Sequence, residues 1–178
     1  MIFRAVEDTD LIRKACRGDV DAYNLLISRW EKRVFNYLLR IINDREDALD
    51  LSQEVFLKAY QNLRKLDDPA RFPGWLFRIA HNEAFSLLRK NRPETEELGP
   101  EHASPAFPIE LSIAVANALQ RLSSEQREAI VLKIYQGFKF DEMAEILSCP
   151  VSTVKSRVYT ALDLLKTELA PVSERGVS

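Results

Sequence analysis

The sequence predicts an all-α protein built as two small helical domains, and three features predict it. Apolar residues recur at helical spacing from Asp10 to about Lys90 and again from Ile109 onward. No segment alternates apolar and polar residues as a half-buried strand would. Between the two helical stretches, residues 93–110 are acidic and proline-rich with almost no large apolar side chain, which is the composition of a flexible linker. The expected division is therefore a helical domain at 1–92, a linker at 93–110, a second helical domain at 111–170 and a flexible tail at 171–178.

The elements follow in order. Leu11, Ile12, Ala15 and Cys16 line a short first helix, which Gly18 can end by adopting the left-handed conformation. Asp19 or Asp21 caps a long second helix carrying Tyr23, Leu26, Ile27, Trp30, Val34, Leu38 and Ile41 on one stripe. Asn43 or Asp44 begins the third, whose first turn places Glu46 and Asp47 where the positive end of the macrodipole favours carboxylates. Leu51, Val55, Ala59 and Leu63 bury that helix. After the loop KLDDPARF, Pro73 suits a first turn, so a fourth helix is expected from Pro73 to Lys90. Its core side holds Leu76, Ile79, Ala80, Ala84, Leu87 and Leu88, with Trp75, Arg78, Asn82, Phe85, Ser86 and Arg89 opposite. Aromatic rings interleaved with Arg and Asn suit unpaired nucleic acid, whose bases stack while guanidiniums meet phosphate. The alternative is that Trp75 and Phe85 pack beneath a loop.

Beyond the linker, Ala118, Leu119 and Leu122 end one helix. Ser123 and Gln126 have capping-box spacing for the next, and Gly137 stops it. Phe140, Met143, Ala144 and Leu147 then face Val151, Val154, Val158, Leu162 and Leu165 across the break Ser148-Cys149-Pro150, where proline cannot continue a helix. Two apolar stripes joined by so short a turn predict a helix-turn-helix, whose second helix presents Ser152, Thr153, Lys155, Ser156 and Arg157 to the major groove.

Composition narrows the setting. Apolar runs are too short and too interrupted by charge to span a bilayer, and the N-terminus lacks the basic-then-apolar order of a signal peptide, so a cytoplasmic protein without membrane insertion is expected. Cys16, Cys149, His81 and His102 have no metal-ligand spacing, and no phosphate loop or catalytic triad is present; no metal, cofactor or catalysis is expected. The formal charge of −2 is unevenly placed. Residues 1–92 carry 17 Lys+Arg against 14 Asp+Glu, the linker none against 5, and residues 111–170 balance at 7 each. So few excess cations imply weak DNA binding alone, and hence a larger partner.

Two helical modules, an acidic tether and a C-terminal helix-turn-helix together resemble the extracytoplasmic-function (ECF) sigma factors of the sigma-70 family. DREDALDLSQEVFLKAYQNL is similar to the region 2 segment that docks on the clamp helices of core RNA polymerase, which implies Asp47, Asp50, Gln53, Glu54 and Phe56 as docking residues. FPGWLFRIAHNEAFSLLRKNR resembles the segment that melts and reads the −10 element. The resemblance implies a pocket for a flipped non-template base walled by Asp67, Asp68, Arg71 and Phe72, with Trp75, Arg78, His81, Asn82, Phe85, Arg89 and Lys90 along the adjoining helix. LSSEQREAIVLKIYQGFKFDEMAEILSCPVSTVKSRV resembles region 4, which reads the −35 element while seated on the polymerase flap. Further implications are a linker threading a basic channel through Glu94, Glu96, Glu97 and Glu101, and regulation by an anti-sigma factor. Two departures stand out. Lys139 occupies the usual Ser or Thr cap position, and Asp163 stands where positive charge is usual, which leaves fewer phosphate contacts. Competing readings are a decoy that binds an anti-sigma factor, a free-standing repressor, which would need a dimer interface, and a metal enzyme built on Asp44, Glu46, Asp47, Asp50 and Glu54.

Overall fold

The computed structural model describes residues 6–91 and 111–170, and among these there is no strand. They form two compact units, one built around the helices of residues 6–91 and one around those of residues 111–170.

The first unit contains α1 (Asp8–Cys16), α2 (Val20–Ile42), α3 (Arg45–Asn62) and α4 (Phe72–Lys90), with single 3₁₀ turns at Leu63–Lys65 and Pro69–Arg71. Local chemistry sets the boundaries. Gly18 takes a φ of +96° after α1, and Asp19 caps α2 by accepting the Ala22 N–H at 3.0 Å. Asn43, at φ +58°, ends α2 in the left-handed conformation, so it is Asp44 that caps α3, through the Asp47 N–H at 2.9 Å. Fully buried Ile12, Leu26, Tyr37, Leu38, Ile41, Leu63, Leu76 and Phe77 make the core. Phe77, set on neither face by the sequence pattern, meets Tyr37 edge-on at 5.3 Å.

Polar ties hold α1 and α3 onto α2. The Asp8 carboxylate accepts from Trp30 Nε1 at 2.9 Å and Arg29 Nη1 at 2.7 Å. The Tyr23 hydroxyl donates to the Phe56 carbonyl, and burial pushes its pKa far above the ordinary tyrosine range. Cys16 is half-buried rather than core, its Sγ 3.7 Å from the Leu63 carbonyl.

The second unit contains α5 (Leu111–Gln120), α6 (Ser124–Ile130), α7 (Phe140–Leu147) and α8 (Val151–Leu169). The expected capping box is present: Gln126 N–H donates to Ser123 Oγ at 3.2 Å, and Ser123 N–H to Gln126 Oε1 at 3.1 Å. The helical path of α6 widens over Val131–Tyr135, and Gly137, at φ +76°, turns the chain into α7. One charged side chain is central to this unit. Arg127 is only 7% exposed and donates to the carbonyls of Leu119 at 2.9 Å and of Gln120 and Leu122 at 3.2 Å. These groups close the C-terminal end of α5, where main-chain carbonyls have no partner within the helix and the macrodipole favours a cation.

Candidate nucleic-acid interface

α8 begins after Pro150, whose carbonyl accepts the N–H groups of Thr153 and Val154. Val154, Val158 and Ala161 are buried in the unit's core. Leu162, expected on that stripe, is exposed instead, because the alternating three- and four-residue steps of a 3.6-residue helix select Ala161. On the far side, Ser152 and Ser156 lie open on the ridge opposite the buried stripe, with Lys155 exposed on one flank and half-buried Thr153 and Arg157 on the other. Of the five sequence-predicted residues, three are thus open and two half-buried at one helix start.

The missing cap at Lys139 has a partial substitute. A lysine side chain has no acceptor, yet Glu142 Oε1 still accepts the Lys139 N–H at 3.0 Å, so half of the capping box survives. The next residue, Phe140, packs its ring beneath the Lys133 ammonium, which lies 4.3 Å from the ring centroid. Lys155 Nζ lies 5.7 Å from the same centroid.

In the first unit, α4 carries Arg78, Asn82, Arg89 and Lys90 in the open, with Trp75, His81 and Phe85 half-buried beside them. His81 and Phe85 stack at 4.7 Å with an interplanar angle of 35°. Trp75 leans on Phe72 at 5.9 Å, so one part of its ring is packed and the rest accessible. In the preceding loop, Asp67, Asp68 and Arg71 are exposed, and Asp68 also shapes the loop by accepting the Ala70 N–H at 2.9 Å. Phe72 is a correction to the expected pocket wall. It is 1% exposed and meets Trp30 edge-on at 5.8 Å, because α4 starts one residue earlier than Pro73 and turns this ring into the core.

α3 needs one correction. Phe56 is 7% exposed and belongs to the core, so it offers no docking face. Glu54 stays accessible beside Lys58 at 3.8 Å, and Lys58 itself pairs with Glu83 of α4, a hydrogen bond that raises the Lys58 pKa. Asp47 is half-buried, while Asp50 and Gln53 point outward together with Leu49, Leu57 and Tyr60. Sequence reasoning missed these three apolar residues. The available signal was their spacing of three and four around Gln53, off the Val55–Ala59 stripe. Glu94, Glu96, Glu97 and Glu101 lie outside the described residues.

A helix-turn-helix unit preceded by a separate helical unit with an aromatic and basic helix face defines a class of DNA-directed protein, and comparison with known proteins makes the class specific. Sigma-70 region 2 matches residues 26–94, and Sigma-70, region 4 matches residues 112–165. The ECF RNA polymerase sigma-E factor of Haemophilus influenzae is 31% identical, the match covering 93% of this chain and 96% of that one. The RNA polymerase sigma-H factor of Pseudomonas aeruginosa is 29% identical over 93% and 95% of the two chains. Among solved structures, CnrH in complex with the cytosolic domain of CnrY superposes with a TM-score of 0.71 at 29% identity, covering 91% of this chain and 96% of that chain. The sigma factor RpoE in complex with the anti-sigma factor NepR from Bartonella quintana gives 0.70 at 27% identity, over 83% and 96%. The chain belongs to the ECF RNA polymerase sigma factors. Among the described residues, no helix is long and apolar enough to cross a membrane.

Proposed function

We propose that this sigma factor works in the cytoplasm as an initiation factor with no catalytic step of its own, residues 1–92 and 111–170 acting as two DNA-reading modules joined by the linker. Bound to core RNA polymerase, α8 reads the duplex −35 element, while α4 and the loop before it open the −10 element and hold the non-template strand. The observation that carries this reading is the α4 face, where Arg78, Asn82 and Arg89 stand open beside half-buried aromatic rings. Unpaired bases stack on rings presented among cations, which hold the backbone phosphates beside them. Purified chain added to core polymerase should direct transcripts from a promoter with matching −35 and −10 elements; the absence of promoter-dependent transcripts would refute the reading. Two solved relatives are bound to restraining partners, CnrY and the anti-sigma factor NepR. We propose the same kind of control for this chain.

Docking on polymerase falls to the outward face of α3, centred on Leu49, Asp50, Gln53 and Leu57 with Asp47 at its edge. An apolar contact inside a polar rim suits a reversible interface. Leu57→Asp should weaken core binding by about 30-fold, a truncation cost near 2 kcal/mol for a central contact. Asp50→Lys should weaken it less, and Glu54→Lys least, since Glu54 is occupied by Lys58. Titration against labelled core polymerase measures this order, and unchanged affinity in Leu57→Asp would move the docking face elsewhere.

Arg157 is the expected base reader of α8. Arg157→Ala should cost about 1–3 kcal/mol at one −35 position, if the guanidinium meets a guanine edge bidentately. Binding to a set of single-base −35 variants checks this, because a base contact erases discrimination at one position and a phosphate contact at none.

A further inference from the structure

The sequence leaves Lys155 free to meet either a base or a phosphate, and the packing around Phe140 separates the two. Successive residues of a helix are turned by about 100°, so Lys155 and Arg157 fall on opposite flanks of the ridge made by Ser152 and Ser156. The Lys155 flank is the one that faces the start of α7. There its ammonium lies 5.7 Å from the Phe140 centroid, within reach of the negative face of the ring. Tyr159, one turn further along α8 on the same flank, brings its ring to 6.2 Å from Phe140. Phe140 is itself held by a second lysine. Lys133 lies 4.3 Å from its ring centroid and donates to the Phe138 carbonyl at 3.2 Å, so the ring is clasped by a cation that is already tied to the main chain.

We propose that Phe140 is a positioning residue that holds Lys155 to the side of the recognition helix, where its ammonium neutralises a backbone phosphate at the edge of the −35 groove instead of reading a base. The inference rests on α8 being the −35 reader. A lysine stem is long and rotamer-rich, and an unrestrained one would sweep between the groove floor and both backbones. The Phe140 ring removes that freedom before DNA arrives, so Lys155 meets phosphate without first losing it. Tyr159, 56% exposed and four residues on from Lys155, adds a second ring beside Phe140. The arrangement offsets in part the negative Asp163 further along α8: one well-placed cation serves where a run of basic residues would otherwise share the contact.

The test uses holoenzyme assembled from the full chain and core polymerase, with fluorescent −35 duplexes at several salt concentrations. Each neutralised phosphate contributes about 0.9 to the slope of log affinity against log salt concentration. Lys155→Ala should flatten that slope by about 0.9 and weaken all single-base −35 variants by the same factor. Phe140→Leu keeps an apolar side chain and loses the ring face; it should weaken binding uniformly in the same direction, and Phe140→Tyr should restore it. The double variant Phe140→Leu with Lys155→Ala should be no weaker than Lys155→Ala alone. Loss of discrimination at one base position in Lys155→Ala, with the salt slope intact, would overturn the proposal, as would a Phe140→Leu effect that persists undiminished without Lys155. Arg157→Ala in the same assay keeps the underlying reading separate. If neither it nor Lys155→Ala alters binding, α8 is not the reader; if Arg157→Ala alone alters it, only the role given to Lys155 and Phe140 fails.

Discussion

Arg127→Ala should lower the stability of the second unit by about 3 kcal/mol, since it strips the partner from buried carbonyls whose desolvation costs about 1–3 kcal/mol each when unmet. Gln120 and Leu122 lose the Arg127 donor and Leu119 keeps only the Leu122 N–H, and the side chain that fills the space between α5 and α6 goes with it. Burial already lowers the Arg127 pKa, which reflects how far the guanidinium stands from water, and three carbonyl acceptors are what make that position tolerable. Small domains hold only about 5–15 kcal/mol in total, so a loss of this size removes a large part of the margin. Arg127→Lys should fall between the two, because an ammonium keeps the charge at the end of α5 but lacks the planar fork that reaches several carbonyls at once. The chain contains its own internal control. Both tryptophans, Trp30 and Trp75, are in the first unit, so urea unfolding followed by tryptophan fluorescence should be unchanged while the far-ultraviolet circular dichroism shows an earlier transition. Coincident curves for wild type and Arg127→Ala would mean that the carbonyls find other partners.

Arg127 also shows where sequence reading stops. What is encoded within a few residues was legible: the Gly18 and Gly137 turns, the reciprocal Ser123 and Gln126 bonds, and the break at Ser148 to Pro150 all depend on neighbours in the chain. A buried arginine is different, because its acceptors belong to the end of another helix and the residue type by itself points to solvent. The errors on α3 and α4 have the same origin. Phe56 and Phe72 are aromatic residues beside polar ones, and nothing local distinguishes a ring offered to a partner from one turned about 100° into the core. For Phe72 the deciding contact is Trp30, more than ten turns of helix earlier in the chain. Lys58 was visible as the i+4 neighbour of Glu54, but its pairing with Glu83 depends on α4 lying alongside α3. The accessible start of α8 was legible for the opposite reason, since its placement follows from one helix and one proline. Leu49, Leu57 and Tyr60 were visible as apolar residues off the stripe, and a count of both faces of α3 would have separated an exposed apolar face from the core.

Asn82→Ala combined with Phe85→Ala should leave core binding and −35 contact unchanged and reduce stable promoter opening by at least tenfold. Unpairing a base costs stacking and hydrogen bonding, and a protein offsets that only by holding the extruded base itself. Phe85 stacks with His81 to make a two-ring platform at the edge of α4, and stacking on such a ring is worth about 1–3 kcal/mol per base. Asn82 stands exposed next to that platform, and its amide can donate to and accept from a base edge at once. The core of the unit is untouched by either change, because Leu76, Phe77, Ala80 and Ala84 carry the burial on the other side of the helix. Permanganate reactivity of −10 thymines reads the open fraction directly, and a promoter already unpaired at −10 separates two possible defects. If the double variant regains full activity on that template, the residues act in melting; if activity stays low, they read the base after it is free. Arg78→Ala and Arg89→Ala should behave differently again, weakening the open complex in proportion to salt because guanidiniums at this face meet phosphates. Permanganate reactivity in the Asn82 and Phe85 variant equal to wild type would remove α4 from strand opening and leave its rings without a role in promoter DNA.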